Sequence, residues 1–403
     1  MKYYLFVSTF LLICLGNQLF AQHKTPISES AINNGIERPK LVVGLVIDQM
    51  RWDYLYRYYN LYGNGGFKRL LQKGYSFENT FIPYATAVTA AGHATLYTGS
   101  LPAIHGIIGN DWEERDSAVS MYCTTDRSEK SVGTSSTQGR MSPRNLLTTT
   151  VGDELRLATN FKSRVFGVAL KDRGGILTAG HSANAAYWFD DSTGNWITST
   201  YYMNELPGWV NKFNSKRFID TLMMKDWNLL YDISKYDQST MDDNEFEKPL
   251  RHEKKPVFPH IYKDQVGKNY YTLRESPYGN TFTIDFARQL LLSEQLGKSG
   301  QADMLCISLS STDYIGHKTG PNSLEIQDTY LRLDKDIESF LNFLDKHVGV
   351  GQYLFFLSAD HGAPQVPAFM KANKLPAGSM KKSILKAELN TFCYEKFGAK
   401  NLV

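Results

Sequence analysis

The sequence predicts an α/β fold: a mainly parallel central sheet flanked by helices, with an inserted cap region. Three observations lead there. Apolar runs rich in β-branched residues recur at Leu41–Ile47, Val165–Leu170, Met304–Leu309 and Tyr353–Leu357, the pattern of strands buried on both faces. Amphipathic helical stretches separate them. Each run also ends in polar or charged residues, and ligands of open α/β sheets bind beyond the carboxyl ends of the strands.

The helices follow in order. Pro143–Thr159 carries Leu146, Leu147, Val151, Leu155 and Ala158 near helical spacing, with Pro143 suited to a first turn. Phe282–Leu296 and Leu324–His347 are longer. In the latter, Leu324, Leu331, Leu333, Ile337, Phe340, Leu341 and Leu344 form the apolar face. Lys382–Phe397 reads as a last helix. Residues 180–280 break the alternation. They are rich in Tyr, Trp and Phe, with short alternating pieces at Ala186–Asp191 and Trp196–Tyr201 and a charged, proline-containing stretch from Asp237 to Pro259. This region is expected to be an insertion within a catalytic domain spanning residues 40–403.

Composition excludes several classes. Of 403 residues, 42% are apolar and 21% charged, which rules out disordered, collagen-like and coiled-coil chains. Lys and Arg number 44 against 41 Asp and Glu, with no basic block, so no nucleic-acid partner is expected. Four cysteines in this length do not make a disulfide scaffold.

Residues 1–21 have the form of a signal peptide: Lys2, an apolar stretch from Tyr3 to Leu15, and Ala21 before the cleavage point. Cys14 lacks the small preceding residue of a lipoprotein box. Residues 22–39 read as a polar linker. No later segment is apolar enough to span a membrane. The expected mature protein is therefore exported, most simply to the periplasm. It retains Cys123, Cys306 and Cys393, enough for at most one disulfide. The sequence carries no signal of oligomeric state.

The strand ends carry the chemistry. The first run ends in Asp48, the second in Lys171-Asp172-Arg173, the third in Ser310-Ser311-Thr312-Asp313 and the fourth in Asp360-His361-Gly362. Singly, an Asp after a strand is a turn former or helix cap. Together, four such ends gather carboxylates, cations and imidazole on one sheet edge. Asp313 and His317 stand four residues apart, on one side of a helical turn. Asp48, Asp313, His317, Asp360 and His361 supply the oxygen and nitrogen ligands that zinc accepts. The set suffices for two metals.

Thr86 to Thr95 is a small-residue stretch suited to starting a helix. A hydroxyl there lies in a positive field beside free backbone N–H groups, which favours an alkoxide nucleophile and a bound phosphate. Thr needs a base or metal to activate it. The pattern does not choose among Thr86, Thr89 and Thr95, and capping is the ordinary role of each.

Asp48-Gln49-Met50-Arg51, Thr89-Ala90-Ala91-Gly92-His93, Gly109-Asn110-Asp111-Trp112, Lys171-Asp172-Arg173, Asp313…His317 with Thr319-Gly320-Pro321-Asn322, and Ser358-Ala359-Asp360-His361-Gly362 occur in order. This set resembles the phosphate-irrepressible bacterial alkaline phosphatases with a threonine nucleophile, within the alkaline phosphatase and nucleotide pyrophosphatase/phosphodiesterase superfamily. The resemblance runs from about Lys40 to the end. It implies two zinc ions and hydrolysis of phosphate monoesters of small metabolites through a phosphothreonine. It assigns Thr89 as nucleophile. Asp48, Asp360 and His361 would hold the zinc that also binds Thr89, and Asp313 and His317 the zinc that activates water. Asn110, Lys171 and Arg173 would contact the non-bridging phosphate oxygens. A Lys/Arg pair suits a dianionic monoester better than a diester. Sulfatases are disfavoured because no Cys/Ser-x-Pro-x-Arg arrangement is present, and phosphoglycerate mutases by the export signal. His93 and His105 are read as structural.

One ligand is missing from the pattern. The family closes its second zinc site with a later histidine, and none follows His361. Three protein ligands and a water are usual for catalytic zinc. The expectation is therefore a C-terminally truncated chain, or else a variant with an impaired site. The competing functions are a phosphodiesterase or nucleotide pyrophosphatase on the same scaffold and a non-catalytic phosphate- or metal-binding protein.

Overall fold

A computed structural model describes residues 38–117 and 119–400. The signal segment 1–21, Cys14 and residues 22–37 of the linker lie outside the described residues.

Nine strands are described: β1 (Leu41–Ile47), β2 (Asp111–Glu113), β3 (Ser120–Tyr122), β4 (Ser131–Val132), β5 (Val165–Ala169), β6 (Ala185–Asp190), β7 (Asn195–Ser199), β8 (Asp303–Leu309) and β9 (Tyr353–Ser358). Seven form one sheet in the order β4-β7-β6-β5-β8-β1-β9, and β2 and β3 pair apart from it. The four apolar runs become the adjacent strands β5-β8-β1-β9, all parallel. Val43, Leu45, Ile47, Leu305, Ile307 and Leu309 are fully buried in the main core. Each contributes about 1.5–3 kcal/mol relative to exposure.

Register explains why the site is where it is. Ile47 lies opposite Leu309, Val46 opposite Ser358, and Ala169 opposite Ser308. The residues that follow these strands therefore emerge together at the carboxyl edge.

Helices pack on the sheet. Those used below are α1 (Thr89–Thr98), α2 (Val151–Ala158), α3 (Asp172–Ala179), α4 (Tyr278–Ser293), α5 (Ser311–Thr319), α6 (Leu324–Leu344) and α7 (Lys382–Phe397). Ser323 caps α6 by accepting from the Ile326 N–H. Its expected apolar face is buried as a whole, and its last residues pass into a π turn at Asp345–Gly349. Phe282 and Phe286 of α4 stack on Trp196 of β7.

Three expectations need correction. The helix expected from Pro143 begins only at Val151, because Thr150 and Asp153 form a reciprocal capping box. Leu147 is left exposed in the preceding loop. The apolar run Tyr353–Leu357 is a strand, but it lies at the sheet edge and is only half-buried. The region 180–280 does not stand apart from the sheet throughout. Its alternating pieces are β6 and β7, and β6 pairs in parallel with β5. Their aromatic residues are core: Tyr187, Trp188, Phe189 and Trp196 are all buried. Only the stretch after β7 leaves the sheet. Alternation reads the same whether a strand faces water or a helix, so sequence could not separate the two.

Helix α7 spans the expected residues, and none of them is buried. Cys123, Cys306 and Cys393 are all free thiols. Among the described residues no helix is long and apolar enough to cross a membrane.

Candidate active site

Thr89 is the first residue of α1, behind an extended Val88. No side chain of Val88 can cap the helix, so its first N–H groups are open to other acceptors. The Ala90 N–H donates to Asn110 Oδ1 at 2.9 Å. That bond ties the Asn110 amide to the helix N-terminus. Of the three candidate threonines only Thr89 is brought to the strand ends. Thr86 is exposed, and Thr95 bonds His105 Nε2 at 3.0 Å.

Lys171, after β5, enters the centre of the site and is almost wholly buried. Its Nζ lies 2.7 Å from Asp48 Oδ2, 2.5 Å from Asp313 Oδ2 and 3.2 Å from Thr89 Oγ1. It is thus seated among carboxylates rather than turned wholly to the cavity. Burial works against its charge, but Asp48 and Asp313 outweigh that and hold it protonated. Arg173 Nη1 donates to Tyr122 Oη (3.0 Å), which donates to Asp172 Oδ1 (2.9 Å). Hairpin strand β3 thereby fixes the guanidinium.

The carboxylates differ in character. Asp48 is pushed up to about 7, chiefly by burial and then by the neighbouring Asp360. Asp360 falls to about 2: burial opposes its charge, and His93 more than compensates. Asp313 is also held well below the usual range, as Lys171 and His317 override burial. His317 is largely exposed, with Nε2 3.1 Å from Asp313 Oδ1. His361 Nδ1 lies 2.8 Å from the Gly362 carbonyl. That contact orients the ring so that Nε2 points inward, 3.5 Å from Asp48 Oδ1.

These residues fit a divalent cation. Ligand atoms of Asp48, Asp313 and His361 lie within 4.8 Å of one another. Asp48 Oδ1 is buried without a hydrogen-bond partner. A buried carboxylate oxygen left so is costly unless a cation faces it. The Lys171 ammonium between Asp48 and Asp313 shows that the cage holds positive charge.

Two groups given no catalytic or metal-binding role in the sequence act on this cage. Gln49 donates from its N–H to Asp360 Oδ1 (3.1 Å) and from Nε2 to Asp313 Oδ1 (2.7 Å), bridging the two ends of the carboxylate cluster. It does so from a backbone φ of +65°, a strain of about 1–3 kcal/mol for a non-glycine residue. Gly316 gives it room: a Cβ there would sit 2.2 Å from Gln49 Oε1. His93 is more than structural. Its Nδ1 lies 2.8 Å from the Thr89 carbonyl and 3.1 Å from Asp360 Oδ2, and its Nε2 2.7 Å from Ser308 Oγ. It joins helix α1 to a metal-ligand candidate. The sequence hint was its place one helical turn after Thr89.

Above the cage opens a cavity of about 360 Å³. Thr89, Asn110, Lys171, Arg173, Asp313, His317 and His361 line it on one side. Asp48 and Asp360 lie buried beneath. A hydroxyl at a helix N-terminus, cationic side chains and a carboxylate–imidazole cage at strand ends define the class: a phosphoryl-transfer site of the metal-assisted kind.

The comparisons agree with this class. A model of the type I phosphodiesterase / nucleotide pyrophosphatase family matches residues 42–379. The alkaline phosphatase PhoV of Synechococcus elongatus is 53% identical over 371 residues, covering 92% of this chain and 67% of PhoV. The alkaline phosphatase PafA of Elizabethkingia meningoseptica is 52% identical over 373 residues, covering 92% of this chain and 68% of PafA. The crystal structure of wild-type PafA superposes with a TM-score of 0.89 at 51% identity, over 92% of this chain and 71% of that one. The chain belongs to the type I phosphodiesterase / nucleotide pyrophosphatase family.

Proposed function

We propose that the protein is an exported, zinc-dependent alkaline phosphatase that hydrolyses phosphate monoesters of small metabolites through a phosphothreonine. The observation that carries this reading is the placement of Thr89 Oγ1 at a helix N-terminus, 3.2 Å from Lys171 Nζ, which itself bridges Asp48 and Asp313. The relatives named as alkaline phosphatases support it.

Asp48, Asp360 and His361 would hold one zinc together with Thr89. Asp313 and His317 would hold the second. The described residues supply those two ligands there, against the three protein ligands usual for a catalytic zinc. Bound zinc supplies Lewis-acid stabilisation of the attacking and leaving oxygens of an in-line displacement.

The chain's own residues do the rest. Thr89 Oγ1 is presented to phosphorus by the first turn of α1, whose N–H groups and dipole favour the incoming anion. Asn110, Lys171 and Arg173 face the non-bridging oxygens and offset their charge in a loose transition state. Gln49 and His93 hold Asp360, and Gln49 also holds Asp313. Two tightly placed cations favour a dianionic monoester over a monoanionic diester. Residues 1–21 would be removed on export, and the stretch after β7 would complete the cavity wall.

The test is acid trapping of the turning-over enzyme, with intact-mass analysis and metal analysis in parallel. One added phosphoryl group on Thr89, absent in Thr89→Ala, together with bound zinc and faster turnover of aryl phosphate monoesters than diesters, is expected. Faster diester turnover, with Lys171→Ala sparing the monoester rate, would overturn the assignment.

A further inference from the structure

Part of the cavity lining is built from residues that the phosphoryl chemistry does not use. Tyr314 lies under the Lys171 ammonium, 4.9 Å from Nζ to the ring centre. Its ring meets Tyr271 edge-on at 5.7 Å. The Arg251 guanidinium stacks on Tyr271 with Cζ 3.6 Å from the ring centre. The two tyrosines thus lead from the reacting end of the cavity to a second cationic end. Arg274 Nη1 donates to Tyr314 Oη at 2.9 Å and holds this wall in place.

Charge at that far end is unbalanced. Among the described residues the Arg251 guanidinium has no carboxylate within ion-pair distance, although it lines the cavity. The Lys318 ammonium is 3.7 Å from Glu275 Oε1. Glu275 is itself buried, and its other oxygen accepts from the Arg251 backbone N–H at 2.6 Å. Glu275 therefore pairs with the Lys318 ammonium and the Arg251 backbone, and leaves the Arg251 guanidinium unbalanced. A guanidinium with one face on an aromatic ring keeps its N–H edge free, and that edge matches a carboxylate or phosphate in bidentate fashion.

We propose that Arg251 and Lys318 form a leaving-group subsite for phosphate monoesters that carry a second anionic group, a carboxylate or a further phosphate, remote from the scissile phosphorus. Tyr271 and Tyr314 floor the path between the two groups. This proposal rests on the phosphatase reading of the same site and narrows its substrates.

The test uses non-hydrolysable probes, so it does not depend on turnover. Phenylphosphonates bearing a carboxylate at the 3- or 4-position are compared with the matching neutral carboxamides by calorimetric titration of the whole chain. In the wild type, at least one carboxylate isomer is expected to bind about 5–10-fold tighter than its carboxamide, as a partly exposed charge pair gives. The ratio should shrink as salt is raised. Arg251→Ala and Lys318→Ala should each cut it, and the double variant should bring it to about 1. Arg251→Lys should retain part. Ratios are insensitive to the fraction of folded protein. Equal binding of carboxylates and carboxamides by the wild type, or a preference that survives the double variant, overturns the subsite. If no phosphonate of either kind binds, the phosphatase reading itself fails, which is a separate result.

Discussion

Gly92→Ala tests the link between helix packing and the nucleophile. Gly92 lies one turn into α1, and its Cα faces Asp360, two residues beyond strand β9. A Cβ placed there would be 2.3 Å from the Asp360 carbonyl oxygen and 2.8 Å from Asp360 Cβ. Ordinary carbon–oxygen contact is about 3.3–3.6 Å, so relief requires about 1 Å of separation between α1 and Asp360. Backbone stands on both sides, so no flexible side chain can absorb the shift. Thr89 moves with the helix, while Asp360 stays with the sheet. Overpacking of this kind costs about 1–3 kcal/mol, of which the better helix propensity of Ala returns about 1 kcal/mol. The fold should therefore survive with a modest fall in Tm. Catalysis should suffer more, because about 1 Å of misplacement costs on the order of 100-fold. The assay is kcat/KM for an aryl phosphate together with a thermal melt. As a control, a Cβ on Gly208 would meet nothing within 4 Å, so Gly208→Ala should change neither. A Gly92→Ala protein with wild-type turnover would refute the claim that Thr89 and Asp360 must keep this spacing.

Gln49→Leu removes both bonds to Asp313 and Asp360 at nearly constant volume. It should lower zinc content and kcat/KM by about 10–100-fold, read by metal analysis alongside kinetics. Thr89→Ala should abolish the trapped phosphoprotein while leaving phosphonate binding measurable. Chelation should lower Tm, and added zinc should restore it in proportion to ligand occupancy. Stability should also fall as pH rises from about 5 to about 9. His260 is raised to about 9 against burial by Glu253 and Glu325, and Glu247 is raised to about 9 by burial and then by Glu325. Both are folded-state pKa values above the unfolded ones, 4.5 for Glu247 and 6.5 for His260, so this stabilisation is full below those values and is lost progressively until the pH reaches about 9. The loss is on the order of 1–3 kcal/mol. Glu247→Gln should flatten the fall in Tm between about pH 5 and 9, and an unchanged slope would count against it.

Much of this molecule was legible because its chemistry sits at the ends of four strands. Leu41–Ile47 and Asp303–Leu309 are apolar runs with nowhere to go but a doubly covered sheet, and the polar residue that ends such a run must surface at its edge. Asp48, Asp313 and Lys171 could be placed together on that ground alone. Less legible were contacts that depend on register and backbone conformation. Gln49 reaches both Asp313 and Asp360 only because its φ is positive and Gly316 leaves space, and neither condition has a pattern in the residue order. The helix expected from Pro143 failed for a similar reason: periodicity of Leu146 and Leu147 looked helical, but the Thr150–Asp153 box sets a later start.

The position of Lys171 has a further consequence. A buried ammonium at 2.5–2.7 Å from two carboxylates is stable only while those carboxylates are charged and close. Zinc would therefore compete with Lys171 for the negative charge of Asp48 and Asp313. With zinc held there, the ammonium would be less tightly bound by the carboxylates and would turn toward Thr89 and the cavity, where a phosphate dianion is the anion best able to receive it. Metal and phosphate binding should then support each other. Phosphonate affinity should rise on zinc addition in the wild type, and rise less in Lys171→Met. Equal enhancement in both proteins would show that the lysine plays no part in that coupling.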